Sequence, residues 1–131
     1  MIDHLDHLVL TTAKEAECID FYTRVLGMKL EALIGGTPPV ERKALKFVAQ
    51  KINLHIKGKE FEPKANSPTP GSLDLCFLAD RPLTEVIARL GKEVWPIIEG
   101  PVVRTGATAK INSVYVRDPD QNLIEISELL S

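Results

Sequence analysis

The sequence has no excess of positive charge, and this absence removes two classes of partner. Its 16 Lys and Arg residues are outnumbered by 18 Asp and Glu residues, which gives a formal net charge of −2 at pH 7. Binding to a phosphate backbone or to an anionic lipid surface depends on clustered positive charge, and here the basic residues are spread along the chain. We therefore expect neither a nucleic acid nor a membrane as a partner.

Long apolar runs and closely spaced cysteines are also missing. No uninterrupted apolar stretch approaches the ~20 residues that a membrane-spanning helix needs. The N-terminal segment MIDHLDHLVLTT lacks the basic and apolar regions of a signal peptide. The two cysteines, Cys18 and Cys76, lie far apart within apolar patterns. We expect a soluble cytoplasmic protein in which both cysteines are reduced core residues.

The sequence does contain one pattern that occurs twice. Alternating apolar residues over 4–11 predict a strand, an amphipathic pattern ending at Gly27 predicts a helix, and three more strands are predicted in MKLEALI, ALKFVAQ and INLHIKG. The same order follows in SLDLCFLAD, in a helical pattern ending at Gly91, and in EVWPI, INSVYVRD and NLIEISEL. The sequence therefore predicts two β-α-β-β-β modules.

These modules predict an α+β fold. Module one is predicted at residues 1–60 and module two at 72–131, with a proline-containing connector at 61–71. Each module alone has about 60 residues, which is marginal for an independent hydrophobic core. We therefore expect a single domain over 1–131 in which the two βαβββ modules pair into a cupped mixed sheet, either within one chain or by exchange between two chains.

Four polar residues occupy comparable places in the predicted strands. His7 and His55 belong to the first and last strands of module one, and Asp74 and Glu125 belong to those of module two. Because side chains alternate along a strand, each of the four points away from its aliphatic neighbours. We predict that these four residues ligate one metal ion, whereas His4 is predicted to point to the opposite side, at the surface.

Two imidazoles and two carboxylates are a suitable ligand set for a divalent ion. Neutral imidazole nitrogens offer lone pairs, and two carboxylates balance the two positive charges of the ion. Nickel, zinc, manganese, iron and cobalt all accept this set, so the residues do not choose among them. Taken singly, a His or Asp on a strand is more often a solvated or hydrogen-bonded residue than a metal ligand. The repeated placement of all four favours the metal.

Six segments closely resemble the vicinal-oxygen-chelate superfamily and together cover essentially the whole chain. They are HLDHLVLTT, DFYTRVLGMKL, INLH, PTPGSLDLCF, EGPVVRTGA and YVRDPDQNLIEIS. More narrowly, the chain resembles the glyoxalase/bleomycin-resistance/dioxygenase family, in the group with glyoxalase-domain-containing and virulence-associated bacterial proteins. The resemblance implies the glyoxalase/bleomycin resistance/dihydroxybiphenyl dioxygenase fold and a homodimer. It also implies metal ligands on the first and last strands of each module, which here are His7, His55, Asp74 and Glu125.

Two positions depart from the family pattern. Asp74 stands where glyoxalase I and the extradiol dioxygenases usually have His, which weakens a direct transfer of either activity to this chain. Gln121 stands where the family generally has Gly, in the hairpin before Glu125. We expect a left-handed backbone at Gln121, at a cost of ~1 kcal/mol.

The resemblance implies a metal-dependent lyase or isomerase, similar to lactoylglutathione lyase, that acts on a small oxygenated metabolite. A metal ion with open positions would bind two neighbouring substrate oxygens and stabilise an enediolate. Glu125, or Asp74 as the competing candidate, would move the substrate proton. Arg104, Thr105 and Tyr115 are predicted to bind the substrate, with EGPVVRTGA interpreted as a loop. Two alternatives stay open: a metal-free protein that sequesters an antibiotic or toxin, and a non-haem iron dioxygenase.

Overall fold

The computed structural model describes residues 1–131 and contains the predicted order of elements twice. The chain divides into two compact units, unit 1 at Met1–Pro70 and unit 2 at Gly71–Ser131. The boundary lies at the end of the predicted connector. Each unit has its own mixed sheet and its own helix, so the predicted α+β class with two β-α-β-β-β modules is confirmed.

Unit 1 has a four-stranded sheet with one parallel pair. Its elements in chain order are β1 at His7–Thr12, α1 at Glu15–Asp20, β2 at Lys29–Gly35, β3 at Val40–Phe47 and β4 at Gln50–Ile56. The helix continues beyond α1 as a turn of π-helix at Phe21–Val25. The order in the sheet is β1-β4-β3-β2, in which β1 is parallel to β4 and the other neighbours are antiparallel.

Unit 2 repeats this arrangement. Its elements are β5 at Asp74–Leu78, α2 at Leu83–Lys92, β6 at Glu99–Thr105, β7 at Lys110–Arg117 and β8 at Leu123–Leu129. The order in the sheet is β5-β8-β7-β6, again with the first pair parallel. At 10 residues, α2 is the longer of the two α-helices, and no helix has both the length and the apolar character needed to cross a membrane.

One face of each sheet supplies the hydrophobic core. The buried strand residues of that face are Leu10, Leu45, Ile52 and Leu54 in unit 1, and Val114, Val116, Ile124 and Ile126 in unit 2. The buried helical residues include Phe21, Tyr22 and Val25 in unit 1 and Leu83, Val86 and Leu90 in unit 2. Burial of each aliphatic side chain of this size contributes about 1.5–3 kcal/mol. Strand alternation leaves the opposite face of each sheet for polar residues.

Two predictions about the chain after α2 are wrong. Residues 93–97 (EVWPI) form a turn and an irregular segment, because Pro96 lacks the N–H that a strand ladder needs and Val94 has a left-handed backbone with φ 54°. Residues 99–105 (EGPVVRT) form β6 instead of a loop. Arg104 and Thr105 therefore lie on a strand, where neighbouring side chains must point to opposite faces.

The cysteines have different surroundings. Cys18 is fully buried on α1, as predicted, but Cys76 is exposed on β5. The prediction that both are core residues is wrong for Cys76, because it stands opposite Glu125 in the β5–β8 register and so shares the polar face of the sheet. The two cysteines do not form a disulfide with each other.

Candidate functional site

The face of the second sheet that points away from the core has a continuous set of polar side chains. We define the polar face of unit 2 by Asp74, Cys76, Ser113, Tyr115, Glu125 and Ser127. Glu125 stands in the middle of this face, because it is opposite Cys76 on β5 and opposite Tyr115 on β7. Two residues further along β8, Ser127 is opposite Ser113.

Glu125 is held by two buried hydroxyl groups. The Ser113 Oγ donates a hydrogen bond of 2.6 Å to Glu125 Oε2, and the Ser127 Oγ lies 3.4 Å from the same oxygen. The two serine hydroxyls are 2.7 Å apart, and both residues are completely buried. A hydroxyl donor at this distance from a carboxylate forms a strong, charge-assisted bond. The carboxylate is therefore fixed through Oε2.

Asp74 and Cys76 flank Glu125 on the neighbouring strand. Asp74 is opposite Leu123, two residues before Glu125, which corresponds to about 7 Å along the strands. Both acids are thus on one face of adjacent strands. Desolvation raises the pKa of the Cys76 thiol, and the negative charges of Glu125 and Asp74 raise it further. A hydrogen bond to Ser127 lowers this pKa but does not cancel the increase. The thiol is therefore protonated near neutral pH.

Arg104 and Tyr115 form a fixed pair beside Glu125. The Arg104 Nε donates a hydrogen bond of 3.1 Å to the Tyr115 Oη, and the guanidinium carbon lies 5.7 Å from the centre of the Tyr115 ring. Arg104 Nη2 is also 3.7 Å from Glu99 Oε1. The contact with Tyr115 raises the pKa of Arg104, and the charge of Glu125 acts in the same direction. The pair predicted to bind substrate is therefore brought together on the polar face of unit 2.

Thr105 does not join this pair. It is opposite Lys110 on β7, whereas Arg104 is opposite Ile111, so the side chains of Thr105 and Arg104 point to opposite faces of the sheet. The Thr105 Oγ1 accepts a hydrogen bond of 3.1 Å from Lys110 Nζ. Because EGPVVRTGA was interpreted as a loop, the strand alternation that separates Thr105 from Arg104 was not predicted.

The corresponding face of the first sheet has a different composition. We define the polar face of unit 1 by His7, Arg42, Asn53 and His55. His7 is at the start of β1 with 43% of its side chain exposed, and its Nδ1 lies 2.8 Å from Asp6 Oδ2. This hydrogen bond lowers the pKa of Asp6. His4 is 75% exposed and contacts Asp3, so its predicted surface position is confirmed.

The structure offsets His7 and His55 along the first sheet. In the parallel register of β1 and β4, His7 is opposite Lys51 and His55 is opposite Thr11. Four residues of strand separate them, which is about 13 Å. The register therefore offsets the two histidines along the strands, and whether both rings reach one ion stays a prediction. Whether either histidine ligates a metal by itself stays a prediction.

Asn53 takes the place in unit 1 that Glu125 takes in unit 2. His7, the first residue of β1, pairs with Lys51, and Asn53 lies two positions after Lys51. Asp74, the first residue of β5, pairs with Leu123, and Glu125 lies two positions after Leu123. The burial of residues 51–56 also matches that of 123–128 position by position. His55 then corresponds to Ser127. An ungapped match of Ile-Asn-Leu at 52–54 with Ile-Glu-Ile at 124–126 would have identified Asn53 from the sequence.

His55 is a buried imidazole beside an aromatic ring. Only 9% of the residue is exposed, and its ring lies 5.5 Å from the ring of Phe61 in an edge-on arrangement. Burial lowers the pKa of His55, and the positive charge of Arg42 adds to this effect, while Glu60 and Glu62 oppose it. His55 is therefore a neutral hydrogen-bonding group near neutral pH.

The polar faces contain metal-binding side chains, but they do not form a complete cluster within either unit. No three His, Cys, Asp or Glu side chains of one unit come together in an arrangement that holds a metal ion. The polar face of unit 2 has two carboxylates on adjacent strands. The polar face of unit 1 has His7 and the amide of Asn53. These donor types match divalent ions that accept mixed nitrogen and oxygen ligation.

Two β-α-β-β-β units, each with a core face and a polar face on a mixed sheet, define the fold class of the chain. A family model described as the Glyoxalase/Bleomycin resistance protein/Dioxygenase superfamily matches residues 4–126. The chain belongs to this superfamily, and the resemblance seen in its sequence motifs is confirmed.

Two relatives share about half of its residues. Virulence protein STM3117 of Salmonella typhimurium is 52% identical over 128 residues, which are 98% of this chain and 85% of that protein. Glyoxalase domain-containing protein RDO1 of Mycosarcoma maydis is 54% identical over 123 residues, which are 94% of this chain but 66% of that protein. The chain therefore spans about two thirds of the fungal relative.

Solved structures confirm the fold. The crystal structure of virulence protein STM3117 from Salmonella typhimurium has a TM-score of 0.90 at 52% identity and covers 99% of both chains. Lactoylglutathione lyase from Agrobacterium tumefaciens has a TM-score of 0.71 at 22% identity, with 98% of this chain and 95% of that chain covered. At this lower identity the likeness shows the fold alone.

Proposed function

We propose that the chain is a metal-dependent lyase or isomerase of glyoxalase type, in which Glu125 moves a proton of a small oxygenated substrate. The observation that carries the proposal is the fixed carboxylate of Glu125 on the polar face of unit 2, in a chain whose superfamily match covers residues 4–126. A general base must be held at a defined position relative to the proton that it takes. Ser113 and Ser127 hold Oε2, which leaves Oε1 as the oxygen that receives the proton.

A divalent ion is the second part of the proposal. Nickel, zinc, manganese, iron or cobalt would be held by His7, Asp74 and Glu125, with Asn53 as a further oxygen ligand and His55 as a separate candidate. When bound, such an ion would act as a Lewis acid towards two neighbouring oxygens of the substrate. Asp74 is the alternative base, since it shares a face with Glu125 on the adjacent strand.

Tyr115 and Arg104 are proposed to recognise a substrate oxygen that gains negative charge. The Tyr115 hydroxyl accepts its hydrogen bond from Arg104 Nε, so its own proton is available for donation to the substrate. A charged guanidinium behind the phenol strengthens such a donor. Thr105 is left out of the proposed site because its side chain lies on the other face of β6.

Turnover of the hemithioacetal of glutathione and methylglyoxal tests the role of Glu125. Replacement Glu125→Gln removes the base but keeps the size of the side chain, so kcat is expected to fall about 10²–10⁴-fold. Glu17→Gln, which changes an exposed acid in the first turn of α1, is the matched control and should retain full kcat. Equal kcat values in both variants would contradict the proposal.

The homodimer and the cytoplasmic location that the sequence indicated stay predictions. If the wild-type chain neither binds a metal nor turns over a hemithioacetal, metal-free binding of a small molecule replaces the lyase as the better proposal.

A further inference from the structure

Arg42 on the polar face of unit 1 is an arginine held in a defined position without a carboxylate partner. Its guanidinium carbon lies 4.3 Å from the centre of the Phe61 ring, within the range of a cation–π contact. Arg42 makes no ion pair in the structure. A guanidinium stacked on an aromatic ring keeps its N–H donors in the plane of the group, where they remain available for two parallel hydrogen bonds.

Glu60 and Glu62, whose charges act on His55, are already engaged. The Glu60 carboxylate accepts hydrogen bonds from the backbone N–H groups of Gly58 and Glu60 itself, which lowers its pKa. Glu62 forms an ion pair with Lys64. Neither acid therefore neutralises Arg42, although both lie near enough for their charges to act on His55.

The register places Arg42 beside two more hydrogen-bonding side chains. The last pair of the β3–β4 ladder is Lys43 with Leu54, and one step further the antiparallel register brings Arg42 opposite His55. Asn53 is two residues before His55 on the same face. The equivalent positions in unit 2 are Ser113, Ser127 and Glu125, which form an acid with its hydroxyl donors. Unit 1 has a cation and neutral polar groups at these positions.

We propose that Arg42, supported by Phe61 and accompanied by His55 and Asn53, binds an oxyanion group of a small-molecule ligand, with a carboxylate as the expected group. Planar carboxylates match the paired N–H donors of a guanidinium, and phosphate shares this chemistry. The inference rests on the proposed function in one respect, since the oxyanion would belong to the substrate. Binding of a simple anion requires neither metal nor turnover, so the two proposals can fail independently.

Titration of the chelator-treated, full-length chain with malonate tests this proposal, with inorganic phosphate as the second probe at the same ionic strength. The expected result is a saturable shift of the Arg42 Nε–H and Asn53 side-chain NMR signals. Arg42→Gln should weaken binding about tenfold or more, because a charge-assisted hydrogen bond is lost. Arg42→Lys, which keeps the charge but loses the paired donors, should weaken it to an intermediate extent.

Arg24→Gln is the matched control, because Arg24 is also a partly exposed arginine of unit 1 but is paired with Asp20. It should leave the affinity unchanged, and a retained backbone spectrum confirms that each variant is folded. The anion that binds more tightly in an Arg42-dependent way identifies the ligand group. If neither anion binds, or if Arg24→Gln weakens binding as much as Arg42→Gln, the proposal is overturned.

Discussion

At the scale of single residues, the candidate site depends on how Glu125 is held. Ser113 is at the centre of β7 and completely buried, so its hydroxyl has no access to bulk water and satisfies its hydrogen bonds within the network. A buried hydroxyl in this position fixes the rotamer of the carboxylate that it contacts. The two serines differ in their distance to Glu125, at 2.6 Å and 3.4 Å. This difference makes their contributions separable by mutation.

Ser113→Ala is expected to lower kcat about tenfold or more while KM changes little, because the stronger bond to Glu125 Oε2 is lost. Ser127→Ala removes the longer contact and should have a smaller effect on kcat. Steady-state kinetics of both variants, with circular dichroism to verify folding, provide the comparison. Equal losses in the two variants, or a loss confined to KM, would count against the positioning role of Ser113.

The backbone conformation at Gln121 was predicted from the glycine that the family generally has at this position. The sequence predicted a left-handed backbone there, and the structure has φ 74° at Gln121. Gln121→Gly is expected to raise the free energy of unfolding by about 1 kcal/mol, since glycine adopts this conformation without steric cost. Urea unfolding measures the change.

Gln50→Gly provides the matched comparison for Gln121, because Gln50 lies in the regular strand β4. Glycine in a strand loses more conformational entropy on folding, so this variant should be less stable by about 0.5–1 kcal/mol. If both glycine variants change stability in the same direction, the left-handed strain at Gln121 is not the cause.

At the scale of secondary-structure elements, the approach of β6 to β7 depends on Gly100. Its φ is 101°, and a Cβ atom there would lie 2.4 Å from the carbonyl oxygen of Ser113. Gly100→Ala therefore combines a strained backbone with a steric clash and is expected to cost about 1–3 kcal/mol of unfolding free energy. Gly35→Ala on β2 meets no atom within 4 Å and is the control.

Urea unfolding of both alanine variants tests this account of β6. Because Gly100 contacts the backbone of the residue that holds Glu125, the Gly100→Ala variant should also lose activity. Equal stability of the two variants would show that β6 can move away from β7 without cost.

The elements also show which parts of the fold the sequence could and could not predict. Period-two alternation and the marked helix ends identified seven of the eight strands and both helical segments. The missed strand, β6, has Gly100 and Pro101 directly after its first residue, and these residues are typical of loops. Its pairing with β7 extends from Thr105–Lys110 to Glu99–Tyr115, and the residues of the latter pair are far apart in sequence. Pairing with β7 decides its structure, and such pairing has no local signal.

The candidate site was also predictable only in part, because some of its geometry depends on local alternation and some on strand pairing. Glu125 and Asp74 were placed on one face because alternation within each strand is a local property. The offset between His7 and His55 depends on the register of two parallel strands that are distant in sequence. Arg42 was missed because its equivalence to Ser113 follows from strand register, whereas an ungapped match with 124–126 would have identified Asn53.

At the scale of the whole molecule, the chain repeats a backbone arrangement with different chemistry in each unit. Unit 2 has an acid with two hydroxyl donors, and unit 1 has a cation, a neutral imidazole and an amide at the same positions. If both units had kept metal-binding side chains at these positions, position 53 would have a carboxylate or an imidazole instead of the Asn53 amide. The division of roles that we propose assigns proton transfer to unit 2 and anion recognition to unit 1.

The central claim is that these polar residues hold a divalent metal ion, and elemental analysis of protein purified without chelator tests it most directly. We predict about one ion per chain in the wild type, because metal affinity requires the full set of ligands. His7→Ala and Glu125→Ala should each lose the ion, whereas His4→Ala, at the exposed neighbouring histidine, should retain it. A metal-free wild-type protein, or equal metal content in all three variants, would contradict the account.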